Sequence, residues 1–103
     1  MMSRVLVVLD HARDDIEAAR DFYDGCELGV GEYFVDCILS DISSLQFYFG
    51  SHRVHFCFHR LLSKRFPFAI YYELVDDIVS IVAVLDMRMH PSKIRSMVLN
   101  RRD

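Results

Sequence analysis

Two clusters of residues in this sequence could do chemistry. Arg88 and His90 stand two apart just after a long apolar run, a place where a charged side chain is unexpected. A guanidinium there can hold a phosphate or carboxylate, but it stays protonated and so makes a poor general base. His90 beside it could supply or take a proton, although an exposed histidine of no special role is equally consistent with the pattern. The second cluster is Arg60, Lys64 and Arg65, set among Phe58, Phe66 and Phe68. Such a basic–aromatic mixture suits an RNA or an acidic protein partner. The plainer reading is that the aromatics belong to the core and the cations guard an edge strand against aggregation.

Other polar groupings carry less. His52, His55 and His59 have spacings that could hold a metal on a helix, but here they fall on a loop and a strand. There 55 and 59 share a face and 52 does not, so no metal site is expected. Cys26, Cys37 and Cys57 are odd in number and lack C-x-x-C spacing, which fits neither a disulfide framework nor zinc; each lies beside large apolar residues, as a small buried hydrophobe would. The adjacent carboxylates Asp14-Asp15 and Asp76-Asp77 point apart in a helix or turn, so capping and turn chemistry account for them. Nothing in the sequence calls for a cofactor.

The elements that would position these residues follow from apolar spacing. Ser3–Leu9 is continuous and β-branched, as in a strand buried on both faces. A helix capped by Asp10 or Asp14 follows, with Ile16, Ala19, Phe22, Tyr23 and Cys26 on one stripe and Asp15, Glu17, Arg20, Asp21 and Asp24 on the wet side. Leu28-Gly29-Val30-Gly31 breaks it. A second helix runs from about Glu32 to Leu45, with Phe34, Ile38, Ile42 and Leu45 inward, and so short a break implies an antiparallel helical hairpin. Gln46-Phe47-Tyr48-Phe49 then leaves aromatics near the surface. Phe56–Leu62, Phe68–Leu74 and Ile78–Leu85 read as strands, the last two joined by a tight turn at Val75-Asp76-Asp77. Pro67 opens one strand, and Pro91 starts a last, polar helix whose end, Asn100 to Asp103, should fray. The order β-α-α-β-β-β-α gives an α+β fold, a small, mostly antiparallel sheet with a helical hairpin on one face.

With 103 residues, 52% of them hydrophobic, the chain is expected to be a single domain, 1–103, with one core. No apolar run approaches the roughly 20 residues of a membrane span, so a cytoplasmic protein without a membrane partner is expected. The net charge of −3 hides a division. Residues 1–50 hold three arginines against ten acids, whereas residues 51–103 hold nine basic residues against five acids. That asymmetry fits a basic working surface, and it fits equally two faces that attract each other.

Several local patterns, taken in order, resemble the RelE/ParE superfamily of toxins from type II toxin–antitoxin modules. Asp15-Ile16 with Ala19, Phe22 and Tyr23 is similar to its first helix, Gly31-x-x-Phe34 to the start of its second, and Asp41-Ile42-x-x-Leu45 to the end of that helix. The most specific match is Arg60 to Glu73, RLLSKRFPFAIYYE, which resembles the F-P-F/Y-x-I-x-Y segment of ParE-like, plasmid-stabilisation toxins. Ala83-Val84-Leu85-Asp86-x-Arg88-x-x-Pro91 resembles the family's C-terminal motif, with departures at Met89, His90 and Ile94.

The resemblance implies a toxin that stops growth and is neutralised by a cognate antitoxin, whose extended segment and helix would lie in an apolar groove beside the helical hairpin. ParE-like members bind DNA gyrase without a catalytic residue of their own. RelE-like members cut messenger RNA on the ribosome with clustered Lys, Arg and Tyr, and those positions fall here on His59, Leu61, Phe68 and Ile94, leaving only Arg88. The ParE-like reading, with Arg60, Lys64, Arg65 and Arg88 as target-binding residues, therefore comes first. A ribosome-dependent endoribonuclease using Arg88 and His90 is second, and a non-toxic binding module on the toxin fold is third.

Overall fold

The computed structural model describes residues 4–50 and 52–101. In chain order the elements are β1 (Val5–Val8), α1 (Asp10–Cys26), α2 (Val30–Ser43), the single turn α3 (Leu45–Tyr48), β2 (Val54–His55), β3 (Phe58–Leu62), β4 (Phe68–Val75), β5 (Ile78–Asp86) and α4 (Pro91–Asn100). One five-stranded sheet has the order β1-β5-β4-β3-β2. Only the β1–β5 pair is parallel; the other neighbours are antiparallel.

The α+β expectation holds, and the sheet is covered on both faces. On one side the α1–α2 hairpin seats Ile16, Ala19, Phe34, Ile38 and Ile42 on Phe68, Ile70, Tyr72, Val79, Ile81 and Val84. On the other, α4 packs Ile94 and Val98 over Ala69, Tyr71, Val82, Ala83 and Leu85. The last helix, expected to be polar, thus keeps an apolar inner edge. The switch of sides within β5 has a local cause. Tyr71 pairs with Ala83 and Tyr72 with Ile81, so Val82 is an extra residue in a β-bulge. The bulge lets Val82 and Ala83 face α4 together, whereas an unbroken pleat alternates strictly.

Four expectations about packing are corrected. β1 is an edge strand with Val5 and Val7 exposed, because only β5 pairs with it; it is not buried on both faces. The N-cap of α1 is Leu9, with no side-chain cap from either aspartate. On the α1 stripe Ile16 and Ala19 are buried, but Phe22 is 60% exposed. The cysteines are not core residues: Cys26 and Cys57 are exposed and Cys37 is half-buried.

The hairpin closes through glycine. The Gly31 N–H donates to Asp24 Oδ1 at 2.7 Å, and the Gly29 N–H, at φ +94°, donates to the same oxygen at 3.2 Å. A Cβ on Gly31 would collide with the Arg20 carbonyl oxygen and the Asp24 carboxyl, so only glycine allows the helices this near. Asp24, expected on the wet side, instead caps the start of α2.

Asp15 was expected on the wet side too, and the chain end was expected to fray. Arg101 instead forks onto Asp15, Nη1 to Oδ2 at 2.5 Å and Nη2 to Oδ1 at 2.9 Å, with both side chains nearly buried. Asp15 Oδ2 also accepts the Val84 N–H at 3.0 Å, and Arg101 Nη1 donates to the Val82 carbonyl at 3.3 Å. These backbone groups lie where β1 has ended and no strand covers that side of β5. Arg102 and Asp103 lie outside the described residues. Replacing Arg101 by Ala leaves Asp15 unpaired, and chemical denaturation should show a loss of about 3 kcal/mol, the low end for breaking a buried pair.

Candidate functional site

The candidate residues do not converge on one point; three sites divide them. The first is at the closed end of the helical hairpin, beside the α1–α2 turn. There Tyr23, Phe34, Phe66 and Phe68 form a cluster with ring centroids 4.9–6.2 Å apart, and Tyr33 joins it through Phe66 at 5.7 Å. Arg88 donates to the Tyr23 hydroxyl at 3.2 Å, and Arg65 donates to the Tyr33 hydroxyl at 3.1 Å. Two of the predicted cations therefore sit on tyrosines at the rim of one aromatic cluster.

Arg88 is also clamped by Asp86. Its Nε lies 3.0 Å and its Nη2 2.7 Å from the carboxylate, and its own backbone N–H donates to Asp86 Oδ1 at 2.8 Å. The Asp86 carboxyl is held below the usual carboxylate range, chiefly by the Arg88 hydrogen bonds, and Asp86 in turn raises the Arg88 guanidinium. The guanidinium remains 57% exposed, so a partner can reach it. His90 is not aimed at Arg88. Its Nδ1 accepts the Ser92 N–H at 3.2 Å and lies 2.8 Å from Ser92 Oγ, which makes it the N-cap of α4. Ile94, where a nuclease-type tyrosine would stand, is 4% exposed and packed on the sheet.

The second site is a cleft of about 380 Å³ between α2 and the β3–β4 loop. Lys64 and Arg65 line one wall, and Asp36, Asp41, Ser40 and Ser44 line the other. A shallower groove of about 290 Å³ opens between α1 and α4, lined by Ala18, Ala19, Phe22, Phe68, Met89 and Met97 among others. The exposed Phe22 ring stands at this largely apolar groove. Phe47 and Tyr48 are 58% and 66% exposed at the other end of α2, whereas Phe49 packs against the core under the Arg4 guanidinium.

Arg60 belongs to a third place, the β2–β3 edge. The strand expected from Phe56 is interrupted there: Phe56 and Cys57 take φ of +56° and +76° and turn the chain between β2 and β3. The interruption reverses the expected pairing of histidines. His59 faces the Tyr72 side, stacked on its ring at 5.1 Å, and His52 reaches the same tyrosine. His55 pairs with Phe58 and faces the opposite side. Among the described residues no group of three His, Cys, Asp or Glu could hold a metal.

Tyr72 is fully buried, and its hydroxyl accepts the Gly50 N–H at 3.1 Å. His52 Nδ1 lies 2.6 Å from the same hydroxyl and accepts its proton when the imidazole is neutral. His59 Nδ1 donates to the His52 carbonyl at 2.8 Å. Desolvation, and then the neighbouring His59, lower the His52 pKa below the ordinary 6.5.

No protein-family model matches this sequence, and no curated protein matches it. A solved structure shares this fold. The chain superposes on a chain of the chromosomal ParDE TA system from P. aeruginosa with a TM-score of 0.75, covering 84% of this chain and 98% of that one. The two are 18% identical, so the likeness is one of fold. It matches the ParE-like resemblance carried by the Arg60–Glu73 segment.

The His52 geometry sets a pH dependence. A histidine whose folded pKa is lowered costs stability once the unfolded chain binds protons that the fold refuses. The melting temperature should therefore fall as pH drops below about 6.5, the ordinary value, and His52→Gln should reduce that fall. Thermal melts at pH 7.5 and 5.5 test this, well above the range in which Asp86 protonates.

Proposed function

We propose that this chain is the toxin of a type II toxin–antitoxin module, ParE-like in action, cytoplasmic, and silenced by a cognate antitoxin. The observation that carries the reading is the fold match, which spans 98% of a chain from a ParDE system. The apolar groove between α1 and α4, with Phe22 exposed beside it, suits an antitoxin segment that buries aromatic surface. The cations that remain accessible, Arg65 and Arg88 at the aromatic rim with Lys64 beside them, suit an acidic macromolecular target, of which DNA gyrase is the first to test.

Binding fits these groups better than catalysis. Arg88 is shared between Asp86 and Tyr23, and His90 has its Nδ1 turned into the cap of α4. Neither is placed to deprotonate a ribose hydroxyl, and Ile94 is a core residue in place of a nuclease tyrosine. Among the described residues no helix is long and apolar enough to cross a membrane.

Controlled expression in a bacterial host, followed by growth and viable counts, is the direct test. Arrest is expected, with DNA-damage signalling and intact messages, and Arg88→Ala should relieve it at unchanged protein level. Cleaved messages with intact DNA would instead support the ribosome-dependent nuclease. Normal growth with folded protein present would support the non-toxic binding module.

In the same host, co-expression with the neighbouring reading frame of antitoxin size should restore growth and yield a co-purifying complex. Phe22→Glu, which places a charge at the apolar groove, should weaken that complex at least tenfold while the protein stays folded.

A further inference from the structure

The β2–β3 edge holds a concentration of positive charge apart from the aromatic rim, and Arg60, expected among the target-binding cations, lies in it. Arg60 donates its backbone N–H to the Arg53 carbonyl at 2.9 Å, so the two arginines lie opposite each other across the ladder. Cross-strand partners project to one face, and there Arg60 is in register with Tyr71 on β4. His55, two residues along from Arg53, projects to that same face. Together with His52 at the rim they line a recess of about 350 Å³.

Like charges directly opposite in a ladder destabilise it. Here nothing in the protein offsets them, because among the described residues neither Arg53 nor Arg60 forms an ion pair and no acid lines the recess. The His55 imidazole registers the field: desolvation first, then Arg60 and Arg53, hold its pKa below the ordinary value. Beside Arg60 the Tyr71 hydroxyl is buried; desolvation raises its pKa, and the adjacent Arg60 guanidinium pulls it back down. Two forked guanidiniums, an imidazole and no carboxylate form the donor set that a tetrahedral oxyanion with several acceptor oxygens satisfies.

We propose that Arg53, Arg60 and His55 form a phosphate-binding site on the β2–β3 edge, separate from the Arg65–Arg88 aromatic rim. The ligand is a phosphate group, carried either on a nucleic-acid backbone or free in solution. The site does not depend on the toxin reading, since it stands on the charge and geometry of this edge alone.

The test is a titration of the ¹⁵N-labelled full chain, followed by NMR, with inorganic phosphate and separately with a ten-nucleotide oligothymidylate. Sodium chloride at matched ionic strength is the control. Saturable shifts of the 53–60 amides beyond those from chloride are expected with at least one probe. Arg53→Gln and Arg60→Gln should each weaken that binding at least tenfold, while Lys93→Gln on α4 leaves it unchanged. Tighter binding of the oligonucleotide, with phosphate displacing it, assigns the site to a nucleic-acid backbone; saturation by phosphate alone assigns it to a free anion. Hairpin shifts no larger than those from chloride with both probes, or equal shifts in a folded Arg53→Gln/Arg60→Gln variant, overturn the proposal. Should Arg60→Gln fail to fold, Arg53→Gln alone, on an exposed side chain, carries the test.

Discussion

The junction of Asp15, Arg101 and the outer edge of β5 ties the architecture together. β1 is only four residues long, and beyond Val8 no strand among the described residues covers the outer edge of β5, whose other edge pairs with β4. Uncovered peptide groups in a partly buried place are costly unless something bonds them. The carboxylate of Asp15, on the second turn of α1, accepts the Val84 N–H, and the guanidinium of Arg101 takes the Val82 carbonyl. Each neutralises the other, so burial of two charges is tolerated. One pair therefore joins the first helix, the bulged strand and the chain end.

That junction also decides which surfaces remain for function. With α4 held down at its C-terminal end by Arg101 and started by the His90 cap, its apolar edge covers one face of the sheet. The helical hairpin covers the other. What stays open is the rim: the aromatic end with Arg65 and Arg88, the groove at Phe22, and the β2–β3 edge. With both faces of the sheet packed against helices, these margins carry the exposed aromatic and basic side chains.

Much of this was legible in the sequence, and the misses share a cause. The core stripe of α2, Phe34, Ile38, Ile42 and Leu45, was readable because period and burial agree along the whole helix. The β4–β5 hairpin was readable from two apolar runs around Asp76-Asp77. Asp15 was not, because a carboxylate on a helix is ordinarily solvated, and its partner is 86 residues away. The break at Phe56-Cys57 was hidden for a related reason: neither is a usual turn residue, yet both take positive φ. That single turn moved His55 to the other face and set Arg53 opposite Arg60. Of the candidate site residues, all were visible as charges, but which of them meet was set by a turn and a bulge that leave no compositional signal.

The uneven charge along the chain allowed two readings, a basic working surface or two faces that attract each other. Mutual attraction predicts many ion pairs between the acidic first half and the basic second half. Among the described residues only Asp15–Arg101 joins an early acid to a late base; Arg4–Asp77 crosses in the opposite sense, and Arg20–Asp21 and Arg88–Asp86 are local. Arg53, Arg60, Lys64, Arg65, Lys93 and Arg95 are left outside any ion pair. Exposed ion pairs stabilise by little, so their scarcity costs the fold little. Arg53 and Arg60, with no acid lining their recess, raise the local potential toward anionic partners, whereas Lys64 and Arg65 face Asp36 and Asp41 across the α2 cleft. Among the described residues the asymmetry thus adds little cohesion through ion pairs, and the one pair that joins an early acid to a late base is the one that is buried.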